Sequence, residues 1–271
     1  MGGLRSVMPS VEIINTGNEL LDGRIANTNG QWMARRCSSK GLTVKRITVV
    51  GDSLEEISEA LGEALGRGPD LILITGGLGP TPDDMTAEAI ARALGRKLVL
   101  DRDALEMVRR SYGSGEIGPT REKMAWLPEG ARPLENPVGV APGILIEHGR
   151  TKVVALPGVP REMKAMFELH VEPLLEQLSR GLTRFEAYFL VYGVREADLA
   201  PTLEELRQAH PGVYIKTHPK VEEGRTYLEL YVSTVASSSA EARSEMGKVI
   251  HKLSEAVSSL GGSLKPFKPG D

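Results

Sequence analysis

The run DLILITGG (70–77) has Leu or Ile at four consecutive positions, then a threonine and two glycines. A strand without a polar face is covered on both faces, the situation of a parallel sheet between helices. VEIINTG (11–17) and TVKRITVVG (43–51) read as further strands, with a helical stretch, IANTNGQWMARRCSSKG (25–41), between them. SLEEISEALGEALGRG (53–68) opens on a Ser-x-x-Glu capping pattern and sets Leu54, Ile57, Leu61 and Leu65 on one stripe. TAEAIARALG (86–95) is the next helix. Alternation of this kind predicts an α/β fold, an open and largely parallel sheet with helices on both sides.

Residues 98–130 read as helical and irregular, and GILIEHG (143–149) with KVVALPG (152–158) as a β-hairpin, which makes part of the sheet antiparallel. A helix starts at VPREM (159–163) and runs to 178, with Pro173 placed to kink or split it. Beyond SRGLT (179–183) the order β-α-β-β-α predicts a small two-layer α+β domain. The division is therefore a leader over 1–10, an α/β domain over 11–180, the small domain over 184–260 and a flexible tail over 261–271.

Composition narrows the function. Single Cys37 excludes an intrachain disulfide framework and a thiolate metal cluster, and in its helical stretch it reads as a small buried thiol. The five histidines are scattered without a zinc spacing. No apolar run of about 20 residues and no apolar signal core is present, so no membrane partner and a cytoplasmic location are expected. The net charge is -3, and from Arg180 onward 12 basic residues face 12 acidic ones. With no GXXG between helices there, nucleic acid is not an expected partner.

Glycine (30) and proline (17) exceed average usage, and many fall in four loops. TGGLGPTPDDMT (75–86) leaves the end of a buried strand and enters a helix, where open α/β sheets bind ligands. Gly76, Gly77 and Gly79 would let backbone amides approach an anion, with Thr81, Asp83 and Asp84 beside them. Taken alone, Asp84 is equally an ordinary helix cap. TGNELLDGRIANTN (16–29) crowds Glu19, Asn27 and Asn29 at the end of the first strand. ENPVGVAPG (135–143) carries Asn136, and LPGVPREM (156–163) sets Gly158 and Arg161 at a helix start. Acidic loops of this kind repel bare phosphate, so a phosphate ligand here implies a hard divalent cation. The pattern is neither a P-loop nor the dinucleotide GxGxxG.

GNELLDGRIANTN, TGGLGPTPDD, ENPVGVAPG and LPGVPREM together resemble the N-terminal region of the CinA family, within the molybdopterin-binding superfamily that includes MogA, MoaB and the core of MoeA. The resemblance covers about 11–178, and 184–260 resembles the small middle domain of CinA. It implies a three-layer α/β/α domain with a mostly parallel sheet. It also implies a Mg²⁺- or Co²⁺-dependent nucleotide pyrophosphatase acting on ADP-ribose or a related nucleotide diphosphate. The alternative it carries is a molybdopterin-binding protein, either adenylyltransferase-like or without turnover. By position, Asp83 or Asp84 matches the family's acid linked to Mg²⁺ and activation, and Glu19 matches the acid of the first loop, which makes Glu19, Asp83 and Asp84 the catalytic and metal candidates. Gly76, Gly77, Gly79, Asn27, Asn29, Asn136 and Gly158 match its ligand-binding positions, while Thr81 and Arg161 are binding candidates from their own loops, a hydroxyl in the Gly-rich turn and a positive charge at a helix start. A homo-oligomer, dimer or trimer, follows by the same resemblance. Leu78 stands where MogA-like proteins have a threonine, a departure that counts against adenylyl transfer. Full-length bacterial CinA adds a domain that deamidates nicotinamide mononucleotide. No such region follows in these 271 residues, and that activity is not expected of them.

Overall fold

The computed structural model describes residues 8–113, 118–222 and 225–268. It falls into two compact units, one of residues up to 38 and 42–180, the other of residues 39–41 and 181 onward. The first unit runs β1 (Ser10–Thr16), α1 (Asn18–Leu21), α2 (Thr28–Ser39), β2 (Thr43–Val50), α3 (Leu54–Arg67), β3 (Leu71–Thr75), α4 (Thr86–Ala93), β4 (Leu98–Leu100), α5 (Arg102–Tyr112), α6 (Pro119–Glu122), β5 (Trp126–Pro128), β6 (Arg132–Leu134), β7 (Gly143–His148), β8 (Thr151–Leu156), α7 (Pro160–Met166) and α8 (Glu172–Ser179). Its main sheet has the order β2-β1-β3-β8-β7-β6. The pairs from β2 to β8 are parallel, and β7 and β6 join through antiparallel ladders.

Alternation along β3 sets the layers. Leu71 and Leu73 pack with Met33, Cys37, Met163, Phe167 and Leu175, so α2, α7 and α8 cover one face. Ile72 and Ile74 pack with Leu61, Ala64, Ile90, Ala104 and Val108, so α3, α4 and α5 cover the other. Each of these fully buried Leu and Ile side chains contributes about 1.5–3 kcal/mol. The same alternation places Glu12 among apolar residues, 3% exposed. Arg67, at the end of α3, answers it with Nε 2.9 Å and a terminal nitrogen 2.8 Å from its two carboxylate oxygens. The fold is thus the expected three-layer α/β arrangement.

The caps follow the sequence with one adjustment. Ser53 accepts from Glu56 N, but the Glu56 carboxylate takes Gly51 N at 2.9 Å instead of closing a full capping box. Gly68 ends α3 in the left-handed region, φ 64°. Pro173 falls in the first turn of α8, and the π-helical residues Phe167–Val171 separate α7 from α8, so the long helix is split.

The second unit runs β9 (Thr183–Tyr192), α9 (Glu196–Ala209), β10 (Val213–Glu222), β11 (Arg225–Ala236), α10 (Ser239–Ser259) and β12 (Ser263–Pro266). Its antiparallel sheet has the order β10-β11-β9-β12. Val191, Ile215, Leu228, Leu230 and Val232 turn inward against Leu199, Leu203 and Leu206 of α9 and Val249, Leu253 and Val257 of α10.

Two expectations are corrected. Residues 263–266, read as flexible tail, form β12, because Leu264 packs on the core while the backbone completes a ladder with β9. Residues 98–130, read as helical and irregular, contain the antiparallel pair β4 and β5. Strands of three residues, one ending in Pro128, are too short to show a period of two.

Candidate functional site

The chain order reverses around β1, which lies between β2 and β3, and ligand crevices in open α/β sheets form at such a switch point. β1, β3 and β8 are parallel, so their carboxyl ends share one edge. There a cleft of about 720 Å³ opens, within the range of small-molecule sites. All four Gly-bearing loops reach it. Glu19, Asn27, Asn29, Gly76, Gly77, Gly79, Asp83, Asp84 and Gly158 line it.

A clamp on the cleft floor holds three of these loops. Thr75, at the end of β3, donates its hydroxyl to the Pro157 carbonyl at 2.8 Å and accepts from Asn29 Nδ2 at 3.3 Å. Asn29 Nδ2 also donates to the Gly158 carbonyl at 2.8 Å. Asn27 caps α2 through Gly30 N at 2.9 Å and donates to Asn15 Oδ1 at 2.6 Å. After this pairing, three buried polar atoms at the end of β1 and the start of α2 keep no partner: Asn15 Nδ2, Thr16 Oγ1 and Asn29 Oδ1. All three residues line the cleft.

The glycines are needed first by the backbone. Gly76 has φ 108°, and a Cβ there would meet the Thr16 hydroxyl and stand 2.7 Å from the Thr16 carbonyl. The Gly76 amide is spent on Leu156 O at 3.0 Å, so Gly76 is not an anion donor. The amides of Gly77, Leu78 and Gly79 donate to nothing among the described residues, and all three residues line the cleft.

The acids divide by partner. Asp84 accepts from Thr81 N at 2.8 Å and Thr81 Oγ1 at 2.6 Å, so it is occupied in shaping its own turn. Glu19 and Asp83 carboxylates take no hydrogen bond among the described residues. No three His, Cys, Asp or Glu side chains gather around a common ion position among the described residues. Glu19, Asp83 and Asp84 therefore share a cleft without forming a closed three-carboxylate cage. Two lining acids escaped the sequence reading. Asp52 pairs with Asn18 N at 3.0 Å, and Glu162 accepts from Asn136 Nδ2 at 2.7 Å. No Lys, Arg or His is among the lining residues.

Three proposed binding residues sit elsewhere. Thr81 is turned to Asp84, and its carbonyl receives the Lys123 ammonium. Asn136 holds Gly139 N at 2.8 Å and the Ala141 carbonyl at 3.1 Å in its own loop and ties that loop to Glu162 of α7, and the cleft wall is Gly139, Val140 and Ala141. Arg161 is exposed on α7 and does not line the cleft. Arg121 stacks on the ring of Tyr112, a cleft-lining residue, at 4.0 Å and is not itself in the lining. Cys37 is fully buried under the sheet, and burial pushes its thiol up to about 12, so it is no nucleophile.

Residues 12–177 match the family model described as "Probable molybdopterin binding domain". The chain belongs to this molybdopterin-binding domain family. Full-length similarity extends to a protein of Aeropyrum pernix, 47% identical over 259 residues, covering 94% of this chain and 96% of that one. A protein of Pyrobaculum arsenaticum is 47% identical over 254 residues, covering 93% and 96%. Among solved structures, CinA of Thermoplasma acidophilum, described as of unknown function, is similar at 43% identity and a TM-score of 0.59. That match covers 62% of this chain and 98% of that one. The family resemblance read from the four loops is thereby shown, and the first unit is a CinA-like member of the family. No helix among the described residues is long and apolar enough to cross a membrane.

Proposed function

We propose that the cleft binds a phosphate-bearing pterin of the molybdopterin type, with a divalent cation between its phosphate and the acids. The observation that carries this reading is the set of unpartnered buried atoms at the floor: a donor (Asn15 Nδ2), an acceptor (Asn29 Oδ1) and a hydroxyl (Thr16 Oγ1). A buried polar atom without a partner costs about 1–3 kcal/mol. A heterocycle edge that offers both donors and acceptors relieves all three. The free amides of Gly77, Leu78 and Gly79 supply donors for phosphate oxygens.

The donor set fits a hard cation. Carboxylates line the cleft without a basic side chain to balance them, and Mg²⁺ is commonly held by one or two carboxylates plus substrate phosphates. Glu19 and Asp83, whose carboxylates are unengaged, would hold it. When bound, Mg²⁺ or Co²⁺ would screen phosphate charge and make a bound water more acidic.

A second reading is favoured by the same two free acids lying in one cleft with three free amides. It is hydrolysis of a nucleotide diphosphate such as ADP-ribose. Asp83 or Glu19 would orient water in line with the phosphorus, and the loop amides would donate to its equatorial oxygens.

Titration calorimetry with molybdopterin and with ADP-ribose, each with Mg²⁺, Co²⁺ or chelator, separates the readings when AMP release is followed in parallel. The pterin reading expects metal-dependent binding without AMP, weakened about tenfold or more by Thr16→Val. The hydrolase reading expects AMP, with Asp83→Asn lowering turnover far more than binding. Pterin binding indifferent to both chelator and Thr16→Val overturns the first, and unchanged kcat in Asp83→Asn overturns the second. Release of pyrophosphate with pterin and ATP together would assign adenylyl transfer.

A further inference from the structure

The second unit concentrates a residue type that is scarce elsewhere in the chain. Five of its six tyrosines, Tyr188, Tyr192, Tyr214, Tyr227 and Tyr231, lie there. Alternation along the strands decides where they point. Val191, Leu228, Leu230 and Val232 face the helices, so Tyr188, Tyr192, Tyr227 and Tyr231 stand on the opposite face of the sheet, which α9 and α10 leave uncovered. The rings form contiguous pairs: Tyr188 and Tyr231 with centroids 5.0 Å apart, Tyr192 and Tyr227 at 5.7 Å. Tyr214 and Phe267 extend the first pair, each at 6.0 Å. Tyr214 is 55% exposed and Tyr192 37%.

Register adds charge to this pattern. Lys216 is paired with Tyr231, which is paired with Tyr188. Four residues along, Lys220 is paired with Tyr227, which is paired with Tyr192. Each row across the sheet therefore reads lysine, tyrosine, tyrosine, and the two rows are about 13 Å apart. Lys265, between the rows on β12, lies 5.7 Å over the Tyr192 ring. The acids of this face are engaged locally. Glu186 accepts from Tyr231 at 2.6 Å and Tyr188 at 3.2 Å, Glu222 from Tyr227 at 3.3 Å, and Glu229 pairs with Lys220 at 3.6 Å. Lys216 and Lys265 have no acidic partner among the described residues.

We infer that this open face binds single-stranded nucleic acid. Bases stack on the two tyrosine pairs, and the sugar–phosphate backbone follows the lysines at the β10 edge. Two central strands presenting aromatic rings on an open four-stranded sheet, with helices behind, are the physical requirement for splayed bases. Rings that stack on any base recognise strandedness more than sequence. The neutral composition of this unit hid the feature, because counting charges says nothing of which strand face carries them. The inference is independent of the cleft in the first unit.

The test is fluorescence anisotropy of the full chain with a labelled 12-nucleotide uridine-rich RNA and the matching DNA, single- and double-stranded, at low and moderate salt. Saturable binding to single strands is expected, weakening as salt rises and clearly tighter than to the duplex. Tyr188→Ala and Tyr231→Ala should each weaken it about tenfold. Because a tyrosine variant can disturb the sheet, the charge reversal Lys216→Glu with Lys220→Glu is the second probe. It should remove most binding while the melting temperature stays put. Absence of saturable single-strand binding overturns the inference, as does binding that survives both the tyrosine and the lysine changes. If no oligonucleotide binds and the tyrosine variants instead turn an oligomer into a monomer, the face belongs to a second copy of the chain and the inference also falls.

Discussion

Thr75 and Thr16 form a natural matched pair for asking what holds the cleft together and what waits in it. They end adjacent parallel strands, and both are buried, 3% and 5% exposed. Their hydroxyls differ completely. Thr75 Oγ1 donates to the Pro157 carbonyl and accepts from Asn29, whereas Thr16 Oγ1 has no partner. Valine keeps the shape of threonine and removes the hydroxyl. In Thr75→Val the lost hydrogen bond is worth about 1 kcal/mol, and the abandoned Pro157 carbonyl adds about 1 more. For a unit of this size about 2 kcal/mol lowers the melting temperature by about 4–8 °C. Thr16→Val loses no bond in the free protein and should leave the melting temperature unchanged or slightly raised. Both tryptophans, Trp32 and Trp126, lie in the first unit, so selectively excited tryptophan fluorescence on heating reports that unit and not the tyrosine-bearing second one. Equal destabilisation by the two substitutions would refute the reasoning, and so would no effect from either. Ligand titrations should separate them again, with Thr16→Val losing affinity at unchanged stability.

Other outcomes follow from single contacts. Arg67→Ala should cost about 3–5 kcal/mol in urea unfolding, because it leaves the Glu12 carboxylate buried without its partner. Replacing both, Arg67→Met with Glu12→Leu, should recover most of that loss. Cys37 should stay unmodified by a thiol reagent at pH 8 in the folded protein, since its thiol is pushed up to about 12 and is fully buried. It should react once denaturant unfolds the chain, and fast modification of the native state would contradict its placement. Asp101→Ala should cost about 1 kcal/mol by freeing Ala104 N at the start of α5, read as a lower denaturation midpoint.

The parts of this molecule legible in the sequence are those where one residue pattern has one physical solution. The apolar run at 71–74 could only be a strand buried on both faces, and the glycines after it could only open a turn between two strand ends. Other elements depend on partners far away in the chain. Residues 98–100 and 126–128 make a strand pair only because each finds the other. Ser263–Pro266 is a strand only because β9 has a free edge beside it. At the cleft, residue type pointed to the loops that line it but not to the hydrogen-bond partners of each side chain. Asn136 and Thr81 have the chemistry of ligand contacts, yet their side-chain hydrogen bonds go to other protein groups, Gly139, Ala141 and Glu162 for the first and Asp84 for the second. Asp52 and Glu162 look like any surface acid until the fold carries them to the cleft edge.

The position of β8 has a kinetic consequence. It is inserted between β3 and β7 in the middle of the sheet, and the clamp it completes joins Thr75 to Pro157 across 82 positions of sequence. At about 5–20 residues per second, a ribosome needs about 4–16 s to cover that interval. Throughout it, one edge of the hydrophobic strand β3 stands open to other chains. Long-range pairing of this kind also slows closure after release. The cleft thus cannot exist until the last strand of its sheet is made, and a nascent chain halted before residue 151 would be a target for chaperones rather than a partial binding protein.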